Sequence, residues 1–400
     1  MMSTRKQAGD YDRSFGQEGN AELPDFFGPT LSRQLTAMVL QGDNILASAQ
    51  ASDNSGRSHY AITRLTPMGN LDTTFGVGGK VVDRFNQSEH SKPEALAVLS
   101  DGTIAMLGFT SVSNPPAPKP MLLLLDQDGS PLNPPFALEL PEDAAMVNGS
   151  GRLTASGSHF LAALNLSGDS GMPSPKPRVY RMDLNGEPGF PHGRFIEIQF
   201  ARDEGPVEIG ALVQLEDGFF VSGSHVLPTG SSEGFIARYD NDGVLDGAFG
   251  EDGIIAFQAL GQATRITTLL RRPNGSLAVA GHLPADEKLP RRAFHWQFTA
   301  QGTIDPAFNQ GKPVVDGEAT AWYSASLDAN GRLITFGIGE TYLYRRYLLD
   351  GSIDPDYHPA AALIGNQEAV MCLYHGRNTL LGYNATAAIG VIGTVTAIQN

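Results

Sequence analysis

Cysteine is almost absent: Cys372 is the single one in 400 residues, so neither an intrachain disulfide nor a cysteine zinc cluster can form. Its setting, "EAVMCLYHG", reads as a small buried apolar residue. Basic residues are short as well. There are 28 Lys and Arg against 43 Asp and Glu, a formal net charge of -15, which argues against binding nucleic acid or anionic lipid, since both require a basic patch for counterion release. Long hydrophobic runs are missing too: none approaches the roughly 20 apolar residues of a membrane span. The N-terminal "MMSTRKQAGDYDRSFG" also lacks the apolar run of about 7–15 residues of a secretory signal. The expectation is a soluble chain, cytoplasmic or exported without an N-terminal signal peptide, acting as a monomer with residues 1–9 flexible.

Charged residues make up only 18% of the chain, whereas there are 46 Gly and 26 Pro beside 41% hydrophobic residues. Such a chain has many turns and little of the Lys/Glu-rich surface of helices, the profile of a β protein with a well-buried core. The stretch "GNLDTTFGVGGKVVDRF" (69–85) returns as "GVLDGAFGEDGIIAF" (243–257), and its aromatic serves as a ruler along the chain. It recurs as Phe15, Phe75, Phe136, Phe190, Phe249, Phe308 and Tyr357, with Asp12, Asp72, Asn133, Glu187, Asp246, Asp305 and Asp354 three residues before. The mean period of about 57 residues, filled with short strands, suits one four-stranded propeller blade.

Within each period strand A ends at a tight Asp-Gly or Asn-Gly turn, as in "EALAVLSDG" (94–102) and "ITTLLRRPNG" (266–275), since Gly tolerates the positive φ of hairpin turns. Strand B follows at once ("TIAMLG", "SLAVAG"), then a variable loop, strand C ("MLLLLDQDG", "FIARYDNDG"), the repeated motif and strand D ("KVVDRF", "IIAF"). The C-terminus ends on a strand C, "GTVTAIQN", without its motif; the N-terminus opens on the motif, "YDRSFGQEG", followed by a strand D around 21–26. The chain therefore reads as one all-β domain over 1–400, a seven-bladed β-propeller of four-stranded blades. Its ring is closed by an N-terminal strand, which removes the free sheet edges. A six-bladed ring is the alternative.

These residues resemble the bacterial delta-60 repeat family, with its signature Gly-x-Leu-Asp-x-x-Phe-Gly-x-x-Gly-x-Val. Residues 70–82 and 244–255 match it and 304–315 match in part, while the copies around Phe136, Phe190 and Tyr357 keep little beyond the aromatic and its partner. The resemblance implies a β-propeller and brings no catalytic residues.

In "LDTTFG" the Asp72 carboxylate is placed to accept backbone N–H groups two or three residues on. Phe75 then plugs the gap between blades beside Leu71, and Gly76 and Gly79 let the chain turn into strand D. The acids of "DNDGVLDGAFGEDG" raise calcium as a cofactor. Asp240, Asp242 and Asp246 do not keep the alternate spacing of a calcium loop or supply its twelfth-position Glu, so the turn reading is adopted with no cofactor or metal.

The A–B and C–D turns are stereotyped, whereas the B–C and D–A loops of the opposite face vary, and variable loops on a rigid scaffold carry binding. The residues closing strand B form a ring of unlike chemistries: Gln50, Phe109, Asn165, Ser224, His282, Ile338 and Tyr383. His225 and His282 open neighbouring loops, with Asp203, Glu204, Asp286 and Glu287 as possible partners for a metal or acid–base centre. Trp322 and Tyr323 are placed to floor a central pocket or to fill core. "GSSEG" (230–234) has the Gly-x-Ser-x-Gly form around Ser232 but lies between strands, without the helix a nucleophile elbow needs. "GVGG" (76–79) lacks the spacing of a dinucleotide fingerprint. The function expected is a non-enzymatic scaffold that binds a protein, glycan or small ligand; the alternative is a hydrolase or lyase at the channel mouth.

Overall fold

In the computed structural model, residues 7–28, 31–111, 118–141, 144–146, 151–168, 176–200, 205–286, 289–359, 369–376, 378–387 and 390–400 are described. The apolar runs that stop at Gly-containing turns become antiparallel strand pairs. His90–Val98 leads through a turn closed by Gly102 (φ +88°) into Ile104–Ser111. The four-strand order repeats along the chain. Arg33–Gln41, Asn44–Ser52, Ser58–Leu65 and Lys80–Asp83 make the first set. The second adds Lys119–Leu125 and Phe136–Ala137 to the pair above.

Arg152–Ser156, His159–Leu164, Arg178–Asp183 and Phe195–Glu197 form the third sheet. The fourth consists of Val207–Gln214, Gly218–Val226, Ser232–Asp240 and Ile254–Phe257. Arg265–Arg271, Leu277–Leu283, Arg292–Phe298 and Val314–Val315 form the fifth. The sixth has three strands among the described residues, Ala321–Leu327, Leu333–Ile338 and Tyr342–Tyr347, rather than the expected four. The last consists of Ala369–His375, Asn378–Ala387 and Gly390–Gln399, and Asn20–Glu22 from the N-terminus pairs with its outer strand. That N-terminal strand is shorter than the expected 21–26. A single parallel bridge, Arg33 to Ile392, joins the last set to the first.

Two short strands, Ala144–Met146 and Leu166–Gly168, pair outside this scheme. Among the described residues helix is confined to single 3-10 turns at Ala259–Gly261 and Asn309–Gly311.

Second strands such as Asn44–Ser52 and Ile104–Ser111 are buried on both faces, which explains their continuous apolar sequence in place of alternation. The sheets stack face to face, so each cluster of core side chains is shared by two consecutive sheets. Leu46, Ile62 and Phe75 of the first meet Ile104, Met106 and Leu123 of the second. Further clusters join the second to the third and so on to the last. A final cluster brings Leu380, Val395 and Ala397 of the last sheet against Leu35, Met38 and Ile45 of the first, with Phe15, Ala21 and Leu23 from the N-terminus. Ala8 and Gly9, inside the segment expected to be flexible, are bonded: His358 N–H donates to Ala8 O at 2.8 Å and Gly9 N–H to Gln399 O at 2.8 Å.

Candidate functional site

The repeated motif forms a joint. The Asp72 Oδ1 accepts Thr74 N–H at 3.1 Å and Thr74 Oγ1 at 2.6 Å, while Oδ2 accepts Arg64 Nε at 2.7 Å. The Thr74 hydroxyl is the largest influence holding this carboxyl below the usual aspartate range, with Arg64 adding to it against burial. The same construction recurs in Asp246 with Arg238, Asp354 with Arg346, and Asp305 with Gln297. At Asp12 the donor is Asn378, 2.9 Å away and supplied by the last sheet. In four copies the donor stands eight residues before the acid, a spacing visible in the sequence and missed there.

Every aromatic but Tyr357 bears on a glycine of the following repeat. A Cβ on Gly69 would sit 2.7 Å from the Phe15 ring, one on Gly129 2.9 Å from Phe75, and one on Gly302 2.9 Å from Phe249. The arrangement continues with Phe190 on Gly243 and Phe308 on Gly351, while Tyr357 packs beside Ala8 and Tyr11. Gly76 and Gly79 hold φ of +52° and +90°, as the turn into strand D requires.

Two copies depart from this plan. Leu132 N–H bonds to Leu124 O where Asp72 bonds to Arg64 O, so Asn133 is one place off, and Phe136 already lies in the outer strand opposite Leu122. It still reaches Gly186. In the next copy Gly189, not Glu187, makes the equivalent bond to Arg181 O. Turn and joint also engage two of the three acids considered for calcium: Asp240 Oδ1 accepts Asp242 and Val244 N–H at 2.9 Å, and Asp246 pairs with Arg238.

The ring of residues closing the second strands divides by what each touches. Gln50, Phe109, Ser224, His282 and Ile338 stand one pair beyond the bulge that these sheets share. In the last sheet Ala369–Tyr383 is the pair at the bulge, so Asn384 holds the equivalent place, not Tyr383. The Tyr383 ring is buried against Tyr342.

Asn165 and Asn384 are buried and act alike. Asn165 accepts Ile209 N–H at 2.7 Å and donates to Ile209 O at 2.9 Å; Asn384 does the same to Leu35 at 2.8 and 3.0 Å. These carboxamides clamp the edge of the next sheet, so the Asn165 carboxamide oxygen and nitrogen are both engaged with Ile209. Trp322 is fully buried between the fifth and sixth sheets and floors no opening.

The two histidines keep separate company. His225 is buried, stacked on Phe200 with ring centroids 4.6 Å apart, and its Nδ1 lies 3.2 Å from Glu233 Oε1. The His282 Nδ1 lies 3.3 Å from Arg291. Burial first, then Arg291 and Arg265, push this imidazole down to about 3, so it is neutral at neutral pH. Of the acids proposed beside them, Asp203, Glu204 and Glu287 lie outside the described residues, and Asp286 caps Leu289 N–H at 2.7 Å. Ser232 is buried in a strand with its hydroxyl on Thr264 O.

Gln50 and Phe109 do come together. They line a cavity of about 370 Å³ between the first and second sheets, with Gln34, His90, Ser91, Lys92 and Ser111. The register sets this up by placing Gln34 opposite Gln50 and Lys92 opposite Phe109. Backbone donors orient two of the walls: Ser58 N–H reaches His90 Nδ1 at 3.1 Å, and Phe85 N–H reaches Ser91 Oγ at 2.9 Å. Lys92 Nζ stands 5.8 Å from the centre of the Phe109 ring and 3.4 Å from Glu94 Oε1. His90, Ser91 and Lys92 carry no repeat pattern, which is why the sequence did not mark them.

A family model described as a beta-propeller domain of unknown function (DUF5122) matches residues 41–75. No curated protein matches the chain. Among solved structures, the beta-propeller domain of the trilobed protease from Pyrococcus furiosus is 9% identical with a TM-score of 0.50, the match covering 92% of this chain and 95% of that one. The Pyrococcus horikoshii acylaminoacyl peptidase is 9% identical with a TM-score of 0.47, covering 88% of this chain and 49% of that one, so the chain spans about half its length. The polysaccharide lyase Uly1 is 13% identical with a TM-score of 0.47, covering 96% and 93%. The repeated antiparallel sheets, the family model and the Pyrococcus furiosus domain together make this chain a β-propeller protein.

Proposed function

We propose that the chain is one seven-bladed propeller domain, a divergent relative of the delta-60 repeat proteins, and that it is a non-enzymatic binding scaffold whose ligand site is the cavity between its first two blades. The blade count is supported by the core clusters, which run from sheet to sheet and return from the last to the first. The binding role is carried by one observation: Gln50 and Phe109, two variable positions on otherwise repetitive blades, line the same cavity beside polar groups. Its volume falls at the lower end of the range for small-ligand pockets.

A ligand-observed NMR screen with a panel of sugars, organic acids and peptides tests this. Hits on the wild type should vanish with Gln50→Trp, which fills the cavity, while thermal unfolding stays unchanged. Hits that survive this substitution, or none at all, would refute the assignment. Conversion of a hit to product during incubation would favour the hydrolase or lyase reading.

A further inference from the structure

The cavity is built from hydrogen-bond donors. Because His90 Nδ1 accepts Ser58 N–H, a neutral His90 carries its proton on Nε2 and donates from there. Ser91 Oγ already accepts Phe85 N–H, which leaves its own hydrogen to give. Lys92 brings a cation, and the Gln34 and Gln50 carboxamides make no side-chain hydrogen bond among the described residues. No Asp or Glu lines the cavity among the described residues. Behind it the buried Glu94 carboxylate lies 3.4 Å from Lys92 Nζ, and Lys92 is the one Lys or Arg side chain of the lining among the described residues, in a chain of net charge -15.

Resting on the binding role above, we propose that this cavity takes a hydroxylated carboxylate of about one sugar residue, that is, a sugar acid. The space exceeds a bare anion, and one lysine without an arginine fork suits a carboxylate better than a phosphate. The two glutamines offer both donors and acceptors to neighbouring hydroxyls, and the Phe109 ring offers an apolar wall for the C–H face of a sugar.

The probes are glucuronate, glucose and inorganic phosphate, titrated calorimetrically into the full chain. Glucuronate should bind at one site, and Lys92→Gln should weaken it about tenfold or more, the size of a lost charge-assisted hydrogen bond. Lys92→Arg should recover most of the loss, with thermal unfolding confirming that both variants fold. Glucose binding as tightly as glucuronate, indifference to Lys92→Gln, or phosphate competing equally with glucuronate would overturn the proposal. If a neutral sugar binds and is lost on Gln50→Trp, the acid specificity fails and the binding role stands. If none of the three probes binds, the sugar-acid assignment fails, and the wider NMR panel then decides the binding role separately.

Discussion

At the scale of single residues, equivalent places in the repeat carry unlike jobs. A carboxamide presents a donor and an acceptor side by side, which matches the N–H and C=O of one peptide residue, and Asn165 and Asn384 use both on the next sheet. Truncation would strand two buried backbone groups at once. Asn165→Ala and Asn384→Ala should each lower the free energy of unfolding by about 2–4 kcal/mol, since each unpaired buried group costs about 1–3 kcal/mol. Gln50→Ala at the equivalent place should stay within about 0.5 kcal/mol. Urea titration measures all three, and equal effects would refute the clamp. Sequence position alone grouped Asn165 with Gln50 because both close a second strand. What separates them is the facing edge of another sheet, 44 residues away for Asn165, and no local pattern reports that.

At the scale of the element, the joint between strands C and D was legible wherever its Asp and aromatic survive, because their spacing from the turn glycine is fixed by the backbone bonds they make. It was misread at Asn133 and Glu187, where the chain keeps the bond pattern with Leu132 and Gly189 instead. The intact joints carry a pH dependence. Burial pushes the Asp354 carboxyl up, but the Asp356 N–H and the Arg346 and Arg332 guanidinia outweigh it and hold the carboxyl below its ordinary value; Asp72 is lowered as well, through Thr74 first. A carboxyl depressed in the folded state contributes stability that is complete above its unfolded value, near 3.9 for aspartate, and is lost as pH falls through the folded value. Thermal midpoints should therefore hold level from neutral pH to about 5 and drop below about 4. Asp354→Asn should flatten that drop and also lower the midpoint at pH 7, because Arg346, only 3% exposed, loses its buried counter-charge at a cost of about 3–5 kcal/mol. A midpoint independent of pH down to 3 would contradict this account.

For the whole molecule, the period of the repeat was readable because six of its seven copies solve the same packing problem, with an aromatic against the next repeat's glycine. The cavity was not, since its walls come from four strands of two sheets whose side chains are under no repeated constraint. The decisive matter at this scale is closure. The Asn20–Glu22 strand pairs with Gly390–Gln399, and Phe15 lies under Gly69 of the first repeat, so the N-terminal segment touches both the last sheet and the first. Deleting residues 1–23 should bare the Gly390–Gln399 edge, and an uncovered edge invites pairing with other chains. The truncated protein should unfold at a lower temperature and aggregate in light scattering. A circular permutant that opens the chain near residue 29 and joins Asn400 to Gln7 keeps every one of these contacts, because Gly9 N–H already bonds to Gln399 O at 2.8 Å. It should therefore unfold cooperatively within about 1 kcal/mol of the wild type, as relocated termini between strands usually permit. A truncation as stable as the wild type would mean that the fold does not depend on its N-terminal strand. A permutant as damaged as the truncation would mean that the segment stabilises the fold by something other than its place between the last sheet and the first.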